Sequence, residues 1–239
     1  MSKNWKYKKL LWILIPVFLA AVIACVHVFG FVLPRQREQA RREQLVQDYT
    51  ATKLEQYARE NARYEDYEVD VAFLGDSLTD GYDVATWYPQ YVTVNRGIAG
   101  DTTFTLERRL QVSVYDLKPK VAVLLIGGNN PNTMFENYER ILRGFQENMP
   151  ETKVVLVSLI SMGDAWAKNN HLAAFNNVKI KKLAEKYGYG YVDLYGPLLD
   201  METDEMYTQY TTDGAHQTPA GYGIFTQYIT PELEKLLGY

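Results

Sequence analysis

Cysteine is almost missing from this 239-residue chain, and the single one, Cys25, lies inside an apolar run. One cysteine excludes an intramolecular disulfide and any cysteine-built metal site. Histidine is nearly as scarce. Of the three, His27 lies in the same apolar run and His171 in a helix-like stretch, which leaves His216 as the one beside a carboxylate, Asp213, in a loop. That pair lacks further ligands at metal-binding spacing, so no metal and no cofactor is implied. No internal repeat is present, and no tract is biased enough to stay unfolded in a chain that is 47% hydrophobic.

A basic excess is lacking as well. Residues 1–34 hold Lys3, Lys6, Lys8 and Lys9 and no acid, so the remainder carries 21 basic residues (25 minus 4) against 29 acidic ones. An acidic body argues against nucleic acid as a partner, because phosphate binding needs a clustered basic face.

What is present begins with Leu10–Leu33, 24 residues without a charge. As a helix at about 1.5 Å per residue it reaches about 36 Å, beyond the ~30 Å hydrocarbon core of a bilayer. Trp5, Tyr7 and Trp12 sit where an interfacial aromatic belt would lie, and the four lysines precede the run. The expected organisation is a cytoplasmic basic tail (1–9), a transmembrane anchor (10–33), a charged helical stalk (34–67) and an extracytoplasmic domain (68–239). Arg35, Arg37, Arg41 and Arg42 on the downstream flank weaken the orientation argument. A cleaved signal peptide would have a shorter apolar core, of about 7–15 residues. Val22-Ile23-Ala24-Cys25 also reads as a lipobox, which would anchor a lipoprotein at Cys25, but the run stays apolar through Leu33 and favours the uncleaved helix. Residues 35–66 are charge-rich without Gly or Pro, and Leu45, Tyr49, Leu54, Tyr57 and Ala58 are at partly helical spacing. This predicts a solvated helix.

Beyond it, strand-like runs alternate with helical periodicity. The runs are Asp70–Leu74, Tyr91–Val94, Val121–Ile126, Lys153–Leu159 and Gly190–Leu194. Helical spacing covers Phe104–Leu117, Phe135–Asn148, about 169–187 and a final stretch ending near Leu237. Such alternation predicts a three-layer α/β/α fold with a five-stranded, mainly parallel sheet in the flavodoxin-like order 2-1-3-4-5. Chemistry in these sheets gathers beyond the carboxyl ends of the strands, at the switch point between the first and third.

Polar clusters fall there. Gly75-Asp76-Ser77-Leu78 follows the first run without a spacer, Asn95-Arg96-Gly97-Ile98-Ala99-Gly100 follows the second, and Gly127-Gly128-Asn129-Asn130 the third. Asp213-Gly214-Ala215-His216 precedes the last helix. Alone, each reads as an ordinary turn; the coincidence of four does not. Loops at 81–90, 162–170 and 196–212 are expected to carry Tyr82, Trp87, Tyr88, Met162, Trp166, Tyr207 and Tyr210 towards the same end, as aromatic walls for a sugar face or an acyl chain.

Over residues 68 to 237, in order and spacing, these blocks resemble the GDSL family of esterases and lipases, also called SGNH hydrolases. That family is named for a serine, a glycine, an asparagine and a histidine, matched here by Ser77, Gly97, Asn129 and His216, with Asp213 three residues before the histidine. The resemblance implies an oxyanion hole formed by the backbone N–H groups of Ser77 and Gly97 and the amide of Asn129. One departure is Asn130, where the third block usually has aspartate; a change in local hydrogen bonding is expected there rather than lost activity.

The residue chemistry agrees with the resemblance. A serine hydroxyl needs a neighbouring base, an imidazole can serve near neutral pH, and a carboxylate can orient the ring and stabilise its cation. Ser77, His216 and Asp213 fill those roles. The expected activity is that of a membrane-anchored, extracytoplasmic serine esterase hydrolysing or transferring short acyl groups such as O-acetyl, on an envelope glycan or a lipid. The alternatives are a lysophospholipase or thioesterase fed from the bilayer, and a tethered binding module without turnover.

Overall fold

The structure, a computed structural model, describes Trp12, Leu19 and residues 25–238. The basic tail and most of the expected anchor at 10–33 lie outside the described residues. Among the described residues no helix is long and apolar enough to cross a membrane. The chain divides into two compact units, Met1–Thr52 and Lys53–Tyr239.

In the first unit a π-helical turn, Val28–Val32, leads into helix α1, Leu33–Asn61. Pro34, which has no N–H to continue the i→i−4 ladder, directly follows this π-helical turn and Leu33. Exposed pairs such as Arg42–Glu38, 2.6 Å apart at i,i+4, support α1 by a few tenths of a kcal/mol. The last turns of α1, from Lys53 on, belong to the second unit, so that unit begins within the helix and not at residue 68.

The second unit is built on five parallel strands, β1 (Val71–Gly75), β2 (Thr93–Gly97), β3 (Val121–Leu125), β4 (Lys153–Val157) and β5 (Gly190–Val192). They lie in the order β2-β1-β3-β4-β5 expected from the sequence. Side chains alternate between the two faces. Ala72, Leu74, Leu124 and Leu156 face one way, under α2 (Phe135–Asn148) and α3 (Asn170–Tyr187), and meet Tyr138, Ile141, Leu142, Phe145 and Ile180. Val71, Phe73, Val123 and Val155 face the other way, against Phe225, Ile229 and Leu233 of α4 (Pro219–Leu237). Burial on both faces is why these strands read as unbroken apolar runs. Each fully buried Leu or Phe contributes about 1.5–3 kcal/mol.

Two expectations change. The predicted helix over Phe104–Leu117 is a short helix, Thr103–Glu107, followed by a π-helical turn, Gln111–Tyr115. The break coincides with buried Arg109, which reaches back to Asp101, Ser113 and the Gly75 carbonyl. Tyr82 and Tyr88 do not wall the crevice. They are 3% and 0% exposed, with Tyr88 stacked on Phe73 and Tyr82 on Tyr222 in the α4-side core.

Gly75 is in register with both Gly97 and Leu125, so β1, β2 and β3 end at one level. The loops that follow them share one edge of the sheet.

Candidate active site

Ser77 opens a short helix, Ser77–Asp80, immediately after β1. Asp76 caps it: its Oδ1 accepts the Leu78 N–H at 3.1 Å. As the first helical residue, Ser77 has no acceptor for its own N–H within the helix, and none among the other described residues. Its hydroxyl lies 3.1 Å from His216 Nε2. His216 Nδ1 lies 2.7 Å from Asp213 Oδ2, while Asp213 Oδ1 accepts the backbone N–H groups of Ala215 and His216 at 3.0 and 2.8 Å. With Nδ1–H donating to the carboxylate, Nε2 offers its lone pair to the serine.

The Asp213–His216 loop braces itself. Thr211 and Thr212 hydroxyls donate to the His216 carbonyl, and Thr218 caps α4 by accepting the Gly221 N–H, with Pro219 next in line. The His216 N–H, then the His216 ring, hold the Asp213 carboxyl down at about 2. Both side chains are about half exposed, at 50% and 48%, so the relay exchanges protons with solvent.

Asn129 faces Ser77 across the cleft, and one of its amide hydrogens goes to the Asp101 carbonyl at 2.9 Å. This fixes the amide and leaves its second N–H to act in the cleft. Asn130 uses its amide in both senses. Its Oδ1 accepts the Thr103 N–H at 3.2 Å, and its Nδ2 donates to the Thr103 hydroxyl, which donates onward to the Met134 carbonyl. An aspartate has no N–H to donate here, so the bond from Asn130 Nδ2 to the Thr103 hydroxyl depends on the amide.

Gly97 is not placed as a free donor. It ends β2, its N–H donates to Asn95 Oδ1 at 2.8 Å, and its carbonyl accepts from Tyr57. A Cβ there would fall on the backbone of Thr79 and Asp80, so this glycine serves close packing of β2 against the short helix that Ser77 opens. Three residues on, Gly100 has φ +83, open space where a Cβ would stand, and an N–H with no acceptor among the described residues. It directly precedes Asp101, whose carbonyl holds Asn129. Sequence reasoning missed this second glycine; its position just before the Asp101 turn was the available signal.

The cleft is small, about 70 Å³, and is lined by Asp76, Ser77, Gly128, Asn129, Met162, Trp166 and His216, among others. Of the expected aromatic walls, Trp166 stands here, 47% exposed. A groove of about 390 Å³ opens elsewhere, between Phe145, Met149, Tyr187 and Leu236, and none of the residues above lines it. Beneath the cleft, Asp76 is 4% exposed, and burial pushes its carboxyl up to about 7. Asp101 is also raised by burial, against the pull of Arg109 at 2.6 Å.

Residues 73–224 match the model of the GDSL-like lipase/acylhydrolase family. A comparison with curated proteins found no match. Among solved structures, the chain is similar to a Streptococcus pneumonia protein connected by name with platelet activating factor, with 23% identity and a TM-score of 0.75. That alignment covers 83% of this chain and 99% of the other. It is similar to a GDSL-like lipase from Bacteroides thetaiotaomicron, at 26% identity and a TM-score of 0.67 over 76% and 97% of the two chains. An acetyl xylan esterase from Geobacillus stearothermophilus shares the fold, at 20% identity and a TM-score of 0.56 over 70% and 95%. The chain belongs to the GDSL-like lipase/acylhydrolase family and is an ester hydrolase.

Proposed function

We propose that this protein is a membrane-anchored serine esterase that removes short acyl groups, such as O-acetyl, from a glycan or similar ester outside the cytoplasm. The observation that carries the reading is the relay Asp213–His216–Ser77, with contacts of 2.7 and 3.1 Å on one open edge of the sheet. In the first half-reaction, Ser77 Oγ bonds to the acyl carbon as its proton passes to His216 Nε2. The carbonyl π pair moves to oxygen. Collapse of this tetrahedral species breaks the bond to the leaving alkoxide, which takes the proton from Nε2. Water then repeats the sequence on the acyl-serine and releases the carboxylic acid, while Asp213 balances the imidazolium charge.

The oxyanion is met by the N–H groups of Ser77 and Gly100 and the free amide hydrogen of Asn129. Gly100 takes the place first expected for Gly97, whose N–H is already bonded. Donors held ready in this way stabilise the charge that develops in acyl transfer more than any other single device does.

The acyl group is read from size. A cleft of about 70 Å³ is far below the ~300–1,000 Å³ of sites that enclose large ligands, which favours acetyl over the long chains of a lysophospholipid. Exposed Trp166 beside it offers a flat apolar face of the kind sugars stack on. The anchor rests on the uncharged run at 10–33 and the lysines before it.

A chain-length series of p-nitrophenyl esters, run with full-length protein in mild detergent and with Ser77→Ala as control, tests this reading. Acetate should be turned over fastest, and a fluorophosphonate should label wild type but not the variant. Preference for octanoate and longer chains would overturn the short-acyl assignment, and failure of wild type to label would return the chain to a binding role.

A further inference from the structure

The last turns of α1 do more than connect. Lys53, Tyr57, Glu60 and Asn61 are spaced i, i+4, i+7 and i+8, which places them on one helical face. That face meets the end of β2 and the loop after it. The Tyr57 hydroxyl, in a side chain 1% exposed, donates to the Gly97 carbonyl at 2.6 Å. The Tyr57 ring lies under the Arg96 guanidinium, 4.6 Å from ring centre to carbon, and Arg96 bonds Glu60 at 2.6 Å and Asn61 Oδ1 at 2.9 Å. Lys53 pairs with Asp80 at 2.6 Å, and the other Asp80 oxygen accepts the Ala99 N–H at 3.1 Å.

One peptide plane receives the Tyr57 hydroxyl. The Gly97 carbonyl and the Ile98 N–H belong to the same peptide group: the first accepts from Tyr57, the second donates to the Gly75 carbonyl at 3.1 Å, one residue before Asp76-Ser77. The strand that delivers the nucleophile and the helix are thus bonded to opposite ends of one rigid unit. Gly100 follows three residues later with no Cβ to restrict it. Two of the three donors proposed for the oxyanion, Ser77 and Gly100, therefore owe their relative placement to a plane that Tyr57 holds.

Resting on the catalytic reading above, we infer that Tyr57 is a positioning residue for the oxyanion site, acting through the Gly97–Ile98 peptide, and that the end of α1 is part of the hydrolase. Its contribution is to the transition state. Loosening the plane leaves ground-state binding in the cleft unchanged and weakens the grip on the tetrahedral oxyanion.

Tyr57→Phe removes the hydroxyl and keeps the ring under Arg96. In full-length protein, with kcat normalised to active sites titrated by fluorophosphonate, it should lower kcat about tenfold while KM stays within about twofold. The Ki of an alkyl boronic acid, which forms a tetrahedral serine adduct, should rise by about the same tenfold. A merely structural tyrosine would lower the melting temperature while kcat per titrated site and Ki stay at wild-type values, and that result overturns the inference. If Tyr57→Phe does not fold, Lys53→Met loosens the same loop through Asp80 and Ala99. A fall in kcat with a rise in Ki then supports the inference, and unchanged values of both overturn it. A wild type that neither turns over esters nor labels brings down the catalytic reading along with this one; an active wild type matched by Tyr57→Phe brings down this one alone.

Discussion

Asp76→Asn should change the slope of stability against pH, because Asp76 is a carboxyl that folding keeps protonated. Burial raises it from its ordinary 3.8 to about 7, the neighbouring charge of Asp101 adds to that, and the Leu78 N–H and His216 pull the other way. Below about pH 4 both folded and unfolded chains carry the proton, and the group has no effect on stability. From about pH 4 to 7 the unfolded chain releases the proton while the folded one keeps it. The folded state binds more protons there, so stability falls as pH rises, by about 1.4 kcal/mol per pH unit. Above about pH 7 both states are ionised and the loss levels off. Between pH 5 and pH 8.5 the wild type should therefore lose about 3 kcal/mol through this one group. With Asp76 only 4% exposed, solvent screening reduces this little.

Asparagine keeps an Oδ1 to accept the Leu78 N–H, is nearly the same size, and does not titrate. Subtracting wild-type from variant stability at each pH cancels the ionisable groups that do not interact with Asp76, which leaves Asp76 and its smaller couplings to Asp101 and His216. Urea unfolding of both full-length proteins at pH 5, 6.5 and 8.5 gives that difference, and it should grow in favour of the variant by about 3 kcal/mol across the range. A difference constant to within about 1 kcal/mol would show that Asp76 ionises normally in the fold, and the account of a neutral carboxyl under the nucleophile would fail.

Asn129→Ala removes the amide that Asp101 orients, and kcat should fall about 10²–10³-fold with little change in melting temperature; steady-state kinetics on p-nitrophenyl acetate checks it, and unchanged turnover would take Asn129 out of the mechanism. Gly97→Ala and Gly100→Ala should part company. The first places a Cβ on the Thr79–Asp80 backbone and should chiefly destabilise, by about 1–3 kcal/mol, in thermal unfolding. The second meets no atom but strains a backbone at φ +83, costing about 1–2 kcal/mol, and should lower kcat per titrated site by more than Gly97→Ala does.

That pair of glycines marks where the sequence was legible. In the proposed mechanism the Ser77 hydroxyl, Asn129, Asp213 and His216 act through side chains, so residue types in four loop clusters taken together were enough to single them out. Two of the proposed oxyanion donors, Ser77 and Gly100, act through backbone N–H groups, which every residue but proline carries. The segment Asn95 to Gly100 holds two glycines, and composition cannot say which is there for close packing and which for a left-handed turn. Only the bond from the Gly97 N–H to Asn95 and the φ of Gly100 separate them. The same limit explains Tyr82 and Tyr88: loop tyrosines read as crevice walls, yet their mutual hydroxyl bond lets both sit in the core without an unpaired polar atom.

The sheet was legible for the opposite reason. Three central runs buried on both faces need a layer on each side, and parallel strands joined by helices admit few arrangements. Helix α1 shows the cost of reading polarity as solvation. Lys53, Glu60 and Asn61 look like a wet surface in one dimension, yet they serve as partners for Asp80 and for Arg96, a fully buried cation. Burying that guanidinium without them would cost several kcal/mol. The polar stripe on α1 and the charged residue in β2 are therefore one feature, split between two places in the chain. Arg96 lies in β2 just past the apolar run Tyr91–Val94, so in the sequence it reads as a loop charge and does not announce the polar face that covers it.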